Sequence, residues 1–494
     1  MSAESVGNKD PGQNILLQNV VWKVVVWSLI GLIASLPVYA YDVFNTQRDV
    51  PGTAASPLLE DKACVFGKLG QPLTLQEAVE RALCRNPKTR QAWANIKIQA
   101  AAVGIGRAAY LPTLSGSWQR VQDASRTDVS GYPILSSSER ATSNTESVSL
   151  SWVLYDFGGR SAALDNAKEL LAAALANHEA SLQEIFATVA KDYYTAQAAQ
   201  GTLSTAKENE QMAYGIFTAA TKRVDNGVAP ISDELQAQTA YYQAVVNRAK
   251  AEGDCQSALG TLAADMGLRP DEPMTLPSVE EGNKPDNEFK KSVSDLIDEA
   301  VSKHPSVQAA QAQLKAAEAK EAQIRAEGLP SLKLVGQSSR NNQPVSPSIG
   351  QPALAATSRD NSIGAQVSVP LFEGFSRTYQ IRQAQAQSEL QSDVLAETEQ
   401  QVGLDVWTSY QTLQAATQNL ENSARLLDIA QQSYTAIQHR YVSGVGNIIE
   451  LLNGQSSLDN AKKQRVQALT DWRTSRLQLA SKLGQLGMWS LDRK

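Results

Sequence analysis

Three histidines and three cysteines in 494 residues leave little from which to build a metal centre or a nucleophilic site. His178, His304 and His439 are scattered, His178-Glu179 lacks the second histidine of a zinc-protease helix, and no phosphate-cradling glycine loop occurs. No enzymatic activity, metal or other cofactor is therefore expected. Charge is mildly acidic, 45 Lys+Arg against 51 Asp+Glu, and no basic run forms a nucleic-acid footprint, so nucleic acid is not an expected partner. Beyond residue 40 no segment is long and apolar enough for a membrane helix. If the protein crosses a membrane, it must do so as closed β-structure.

One shorter apolar run is present. Lys23 precedes residues 24–36, and Pro37-Val38-Tyr39-Ala40 follows with small residues where a signal peptidase reads. Residues 1–40 thus read as a secretory signal cleaved after Ala40. A permanent anchor is disfavoured, because the run falls short of the ~20 residues a bilayer span needs. Cys64 and Cys84 then lie in exported chain, where an oxidising compartment favours a disulfide between them. Cys255 is left over and reads as a buried helix thiol.

What the sequence does contain is itself, twice. Thr74 with Glu77 is matched by Ser292 with Asp295, Asn86-Pro87 by His304-Pro305, and Leu111-Pro112 by Leu329-Pro330, each 218 residues on. With one residue lost the spacing becomes 217, pairing Leu154-Tyr155-Asp156 with Leu371-Phe372-Glu373, Arg160 with Arg377, Tyr193 with Tyr410, and Gly227 with Gly444. Halves of this size indicate a duplicated architecture rather than a solenoid. The organisation expected is a signal peptide (1–40), an N-terminal extension (41–70), a first repeat (71–267), a Pro-rich linker (268–291) and a second repeat (292–487).

Each repeat opens with a capping box and a short helix, then an N-cap and first-turn proline for a second helix. After Leu-Pro the period changes to two: Val148, Leu150, Trp152 and Leu154 alternate with serines, and Ile363, Ala365, Val367, Val369 and Leu371 alternate with Gly364, Gln366 and Ser368. Each repeat is expected to hold one strand pair, within 114–155 and 331–371, tipped by polar loops at 123–146 and 338–361. Residues 160–226 and 377–443 then form helices of 67 residues without proline, about 100 Å long at 1.5 Å per residue. Val406, Leu413, Leu420, Leu427, Tyr434 and Tyr441 recur every seven residues, answered by Val189, Ala196, Leu203, Glu210, Phe217 and Val224, a coiled-coil-like seam. Both helices end at a glycine and return, giving long hairpins over 160–267 and 377–487.

The signal segment, the segment 73–87, Ala109-Tyr110-Leu111-Pro112-Thr113-Leu114, the strand exits 154–160 and 371–377, and the tip 441–452 together resemble the TolC family of outer-membrane efflux and secretion channels. The resemblance covers about residues 71–487. It implies a fold made of an all-α periplasmic helical barrel plus a transmembrane β-barrel, built from duplicated helix-strand-strand-helix halves that assemble as a homotrimer. Four strands per chain cannot close a barrel, so oligomerisation is required if these strands span. The resemblance further implies a periplasmic gate at the hairpin tips. Glu450 stands at the first acid of a ring, Asn453 where a second acid is expected, and Tyr441 with Asp233 at a locking contact. Gly446 stands where the member best known for its lock carries arginine. Gly227, Val228, Ala229, Pro230, Ser443, Gly444 and Val445 occupy the tips that dock a periplasmic adaptor. Simpler roles stay open: Glu450 as a solvated helix-start charge, Tyr441 as a seam residue, and the tip glycines as C-caps.

The function expected is a passive duct from an inner-membrane transporter, ABC or proton-driven, through an adaptor to the exterior. The pair Cys64/Cys84 and the run Leu-Cys-Arg-Asn-Pro look like members serving type I protein secretion. The alternatives are the exit duct of a multidrug efflux pump and, from other classes, a periplasmic adaptor or an exported coiled-coil protein.

Overall fold

The computed structural model describes residues 41–56, 58, 64–279, 292–345 and 354–486. The signal segment and the second part of the linker lie outside the described residues. In chain order the elements are α1 (Leu75–Arg85), α2 (Pro87–Ala108), β1 (Thr113–Thr127), β2 (Ser137–Tyr155), α3 (Gly159–Asp225), α4 (Ile231–Asp265), α5 (Val293–Lys303), α6 (Pro305–Ala326), β3 (Ser331–Asn341), β4 (Ser358–Ser368), α7 (Ser376–Val442) and α8 (Ile448–Lys482). Residues 41–47 belong to a separate unit, a turn in which the Asp42 carboxylate accepts from Gln47 N at 2.8 Å and Thr46 Oγ1 at 3.3 Å. Everything below concerns the unit that begins at Arg48.

Local chemistry sets the helix starts. Thr74 and Ser292 accept hydrogen bonds from the amides of Glu77 and Asp295, both at 3.2 Å. Asn86 Oδ1 caps α2 by accepting from Lys88 N at 2.9 Å, and His304 Nδ1 does the same for α6 from Ser306 N at 3.2 Å. The helices of the two repeats match in length: 11 and 11, 22 and 22, 67 and 67, 35 and 35 residues. Val406, Leu413, Leu420, Tyr434 and Tyr441 of the heptad series are buried, the first three in one cluster and the two tyrosines in another, against which Leu427 packs.

Both expected pairs form, β1 with β2 and β3 with β4, and β2 also pairs with β3, so all four strands, from both repeats, join one antiparallel sheet in the order β1-β2-β3-β4. The strands depart from expectation in running well into what reads as loop. β1 continues to Thr127 and β2 begins at Ser137, leaving only residues 128–136 as the turn between them. The reason is that cross-strand pairing satisfies a polar backbone as well as an apolar one. Serine- and threonine-rich segments with wet side chains on both faces carry no hydrophobic period to read.

Within the sheet the faces are segregated. Rows such as Leu114, Leu150, Gly336 and Ile363, or Trp152, Leu334 and Ala365, form one face. The other carries Ser115, Ser149, Ser117 and Ser147, whose hydroxyls pair across the strands at 2.7 and 2.8 Å. Leu114, Trp118, Ile363 and Val367 are exposed in the single chain.

A clamp joins each strand exit to its long helix. Arg160 bonds Asp156 Oδ2 (3.1 Å) and the carbonyls of Val153 (2.7 Å) and Leu154 (3.2 Å), with its guanidinium 4.8 Å from the Tyr110 ring centre. Arg377 holds Glu373 (3.0 Å), Glu327 (3.2 Å) and the Ile324 carbonyl (3.3 Å). The turn between needs two successive left-handed residues. Phe157 and Gly158 supply them in the first half, Gly374 and Phe375 in the second, so the glycine changes place while the backbone path is kept.

The main core lies where α1 packs on α3. Leu73, Val79, Leu83, Leu182, Phe186 and Leu262 are fully buried there. Each such side chain contributes about 1.5–3 kcal/mol by leaving water. Part of the expected linker is a strap on this core rather than a free connection. Met274, Leu276 and Val279 are buried, and Gln197 Nε2 donates to the carbonyls of Pro277 and Ser278, both at 3.0 Å. Cys64 and Cys84 are joined as a disulfide with Cα atoms 5.7 Å apart, tying the N-terminal extension to α1. Closing a loop of this size stabilises a fold by roughly 3 kcal/mol. Cys255 is a buried free thiol on α4.

Candidate channel wall and gate

Among the described residues no helix is long and apolar enough to cross a membrane, and no cluster of side chains could hold a metal ion. The candidate site is therefore distributed: a sheet with one greasy and one wet face, and two hairpin tips about 100 Å of helix away.

Both tips close with the same device. In the first, Gly227 (φ +71°) donates its amide to Val224 O at 2.8 Å and Val228 to Arg223 O at 2.9 Å. In the second, Gly444 (φ +81°) donates to Tyr441 O at 3.1 Å and Val445 to Arg440 O at 3.0 Å. These are Schellman caps, and only glycine accepts the left-handed position without strain. The caps leave Val228 and Val445 exposed at the two ends, with Ala229 and Pro230 leading into α4 and Ser443 bonded back to His439 O at 2.8 Å. The capping role thus falls on the residues that the resemblance assigns to docking.

At the start of α8, Asn447 Oδ1 accepts from Glu450 N at 2.7 Å, placing Glu450 in the first turn, where the helix dipole favours a negative charge. Its carboxylate faces Arg440 at 3.6 Å, both side chains being substantially exposed. Asn453, one turn further, is exposed. Gly446 is tightly approached by backbone: a Cβ there would lie 3.0 Å from Tyr441 N and 3.2 Å from Arg440 C. An arginine here, as in the member best known for its lock, would require the tip backbone to shift by a few tenths of an ångström.

Tyr441 and Asp233 are not hydrogen-bonded to each other in the single chain. The Tyr441 hydroxyl is buried without a partner, and burial raises its pKa, Arg223 opposing and the Asp233 charge adding to the rise. Arg223, which sequence reasoning did not single out, occupies the space beside it. Its guanidinium lies 4.8 Å from the Tyr441 ring centre and donates to Tyr441 O at 3.1 Å, pinning α3 to α7 at the tip. Its signal in the sequence was its match to Arg440 in the second repeat, four residues before the tip glycine in both. A groove of about 540 Å³ adjoins this contact, lined by Ile216, Arg223, Tyr434, Tyr441 and Leu451.

Near the core, Asp265 at the end of α4 has its pKa raised to about 7, by burial first and then by the hydrogen bond and charge of Asp192, with Lys88 opposing. The second repeat answers differently: Lys482 stands at the matching position and meets Asp405 at 2.6 Å.

A family model described as "Outer membrane efflux protein" matches residues 78–268 and 296–485, one match per repeat. The chain is 33% identical over 463 residues to Protein CyaE of Bordetella pertussis, covering 92% of this chain and 94% of that protein. It is 22% identical over 428 residues to Outer membrane protein TolC of Escherichia coli, covering 85% and 84%. The solved outer-membrane channel OprN superposes with a TM-score of 0.71 at 18% identity, over 83% of this chain and 90% of that one.

Proposed function

Because this chain belongs to the outer membrane efflux protein family, we propose that three copies close one twelve-stranded barrel through the outer membrane and continue it as an all-α periplasmic tunnel. The protein is an outer-membrane transport channel and not an enzyme, and the readings as adaptor or coiled-coil structural protein fall away. The observation that carries the trimer is the sheet itself. β1 and β4 have free outer edges, one face is apolar and exposed, and the opposite face is lined with hydroxyls. In lipid such edges must be paired, and a second and third copy supply the partners. The wet face then lines the lumen.

The exit duct receives its cargo passively from an inner-membrane transporter through a periplasmic adaptor docked at residues 227–230 and 443–445. Type I protein secretion is the favoured cargo route. Leu83-Cys84-Arg85-Asn86-Pro87 and the Cys64 pairing favour it, and of the two named relatives the more similar is CyaE. An efflux route for small molecules is the second reading, favoured by the description of the family model. Glu450 from three chains forms the acidic ring at the periplasmic mouth, with Arg440 tempering its charge.

The test is reconstitution. The full-length exported protein, purified from the outer membrane, is expected as a heat-modifiable trimer by light scattering and to carry stepwise current in a planar bilayer. A stable monomer without current overturns the reading. Deleting the gene is then expected to stop release of a secreted protein from cells while leaving drug sensitivity little changed, and the opposite pattern favours the efflux route.

A further inference from the structure

All five arginines of the four strands lie on the apolar face. The register puts Arg120 and Arg126 of β1 on the side of Leu114, Arg140 of β2 on the side of Leu150, and Arg340 and Arg359 of β3 and β4 in one row with Trp118 and Glu146. Asp123, Asp360 and Lys333 are on the other face. A lumen lining would give no reason for this sorting. The position along the strands supplies one.

Tyr155, Phe157, Phe372 and Phe375, all exposed, mark the end of the sheet that joins the helices. From Tyr155 to Glu146 is nine residues, about 30 Å of strand, which at the usual barrel tilt is about 23 Å of height. That matches the apolar band of an outer-membrane barrel, about 25 Å. The row Trp118-Glu146-Arg340-Arg359 therefore falls at the interface remote from the helices, which is the outer leaflet, and Trp118 is the aromatic expected there. Arg120 stands two residues beyond that row and Arg140 six, about 7 and 20 Å further along the strands. Beyond Thr145 the first hairpin projects without β3 beside it, so residues 120–127 and 137–144 form a two-stranded ribbon above the band.

Acids on this face are few. Glu146 is cross-strand to Arg340, and Asp128 pairs with Arg126 at 3.0 Å. Among the described residues Arg120, Arg140 and Arg340 make no ion pair. Arg340 and Arg120 at the level of lipid headgroups, with Arg140 on the ribbon above them on the same face, are complementary to phosphate, which the guanidinium fork grips bidentately.

Resting on the barrel reading above, we infer that Arg120, Arg140 and Arg340 form an outward-facing site for the phosphate groups of the outer-leaflet glycolipid. The occupant is the membrane's own anionic headgroup, continuous with the lipid-facing band.

The test uses the purified full-length trimer in neutral detergent and radiolabelled lipid A carrying both its phosphates, against the same glycolipid with the phosphates removed. Wild type is expected to retain the phosphorylated form about tenfold better, a ratio in line with a few surface charges acting on an anionic headgroup. The variant R120S/R140S/R340S is expected to lose that preference, whereas K333S, on the lumen face, keeps it. Equal retention of the two glycolipids by wild type overturns the site, and so does an undiminished preference in the triple variant. Current in a planar bilayer free of glycolipid is read in parallel. A wild type that conducts without phosphate preference refutes the site alone, and one that never conducts refutes the barrel beneath it. If the triple variant fails to conduct, the wild-type comparison between the two glycolipids decides.

Discussion

Glu450 has one neighbour that works against it. With Arg440 only 3.6 Å away, the carboxylate enters the proposed ring partly compensated, so the two residues should move selectivity in opposite directions. Glu450→Gln is expected to weaken cation preference and block by multivalent cations, Arg440→Gln to strengthen both, with trimer yield unchanged. Reversal potentials in bilayers under a salt gradient read this, and equal selectivity in all three proteins would reduce Glu450 to a helix-start charge. Asn453, neutral, should matter less. Asp265 offers a second measurement. Its carboxyl holds its proton more tightly folded than unfolded, with a value near 7 against an ordinary 3.8. Stability from that proton is thus fully present below about pH 4 and lost as pH rises through about 7. Asp265→Asn should melt above wild type at pH 8 and level with it at pH 4, as followed by circular dichroism. An equal offset at both values would assign the effect to packing.

Strands and helices differ in how they tolerate a charge. Leu150→Arg, on the apolar face near the middle of the band, should reduce the trimer assembled in the outer membrane severely, since arginine at mid-depth on a lipid-facing strand costs about 2–4 kcal/mol. Ser149→Arg, one residue away on the hydroxyl face, should assemble nearly normally. Semi-native gels of membrane fractions compare them, and equal yields would mean that this sheet does not face lipid. The two strand faces were legible because Val148, Leu150 and Trp152 alternate with serine, and the helix starts because Thr74, Ser292 and Asn86 cap within three residues of themselves. The strand ends were not, since residues 137–144 are polar on both sides. Nor was the pairing of β2 with β3, whose partners such as Trp152 and Leu334 lie far apart in the chain with no local signal to join them. Arg160 was conspicuous as a repeated motif residue, yet its clamp on Asp156 and two carbonyls depends on how the chain turns after the strand. At the tip, Gly446 was visible as a departure from the member best known for its lock. The close backbone approach to Tyr441 was not.

Taken as an assembly, the chain is held to a tighter tolerance in its helices than in its strands. The strands differ between repeats, 15 and 19 residues against 11 and 11, while every helix matches its counterpart to the residue. Seven residues removed from α3 and α4 alone, with register kept, should lower the fraction of heat-modifiable trimer sharply. The same removal from all four long helices should restore most of it, each helix shortening by about 10 Å. Equal loss in both would show that the seam, not the matched length, is what assembly requires. A trimer of such chains stands on six legs, alternately from first and second repeats, and a six-legged stool sits flat only when all its legs are cut to one length. The 67-residue equality of α3 and α7 is that cut. In the proposed trimer it brings two unlike sequences to one rim, on which the proposed ring of adaptors seats without favouring either repeat.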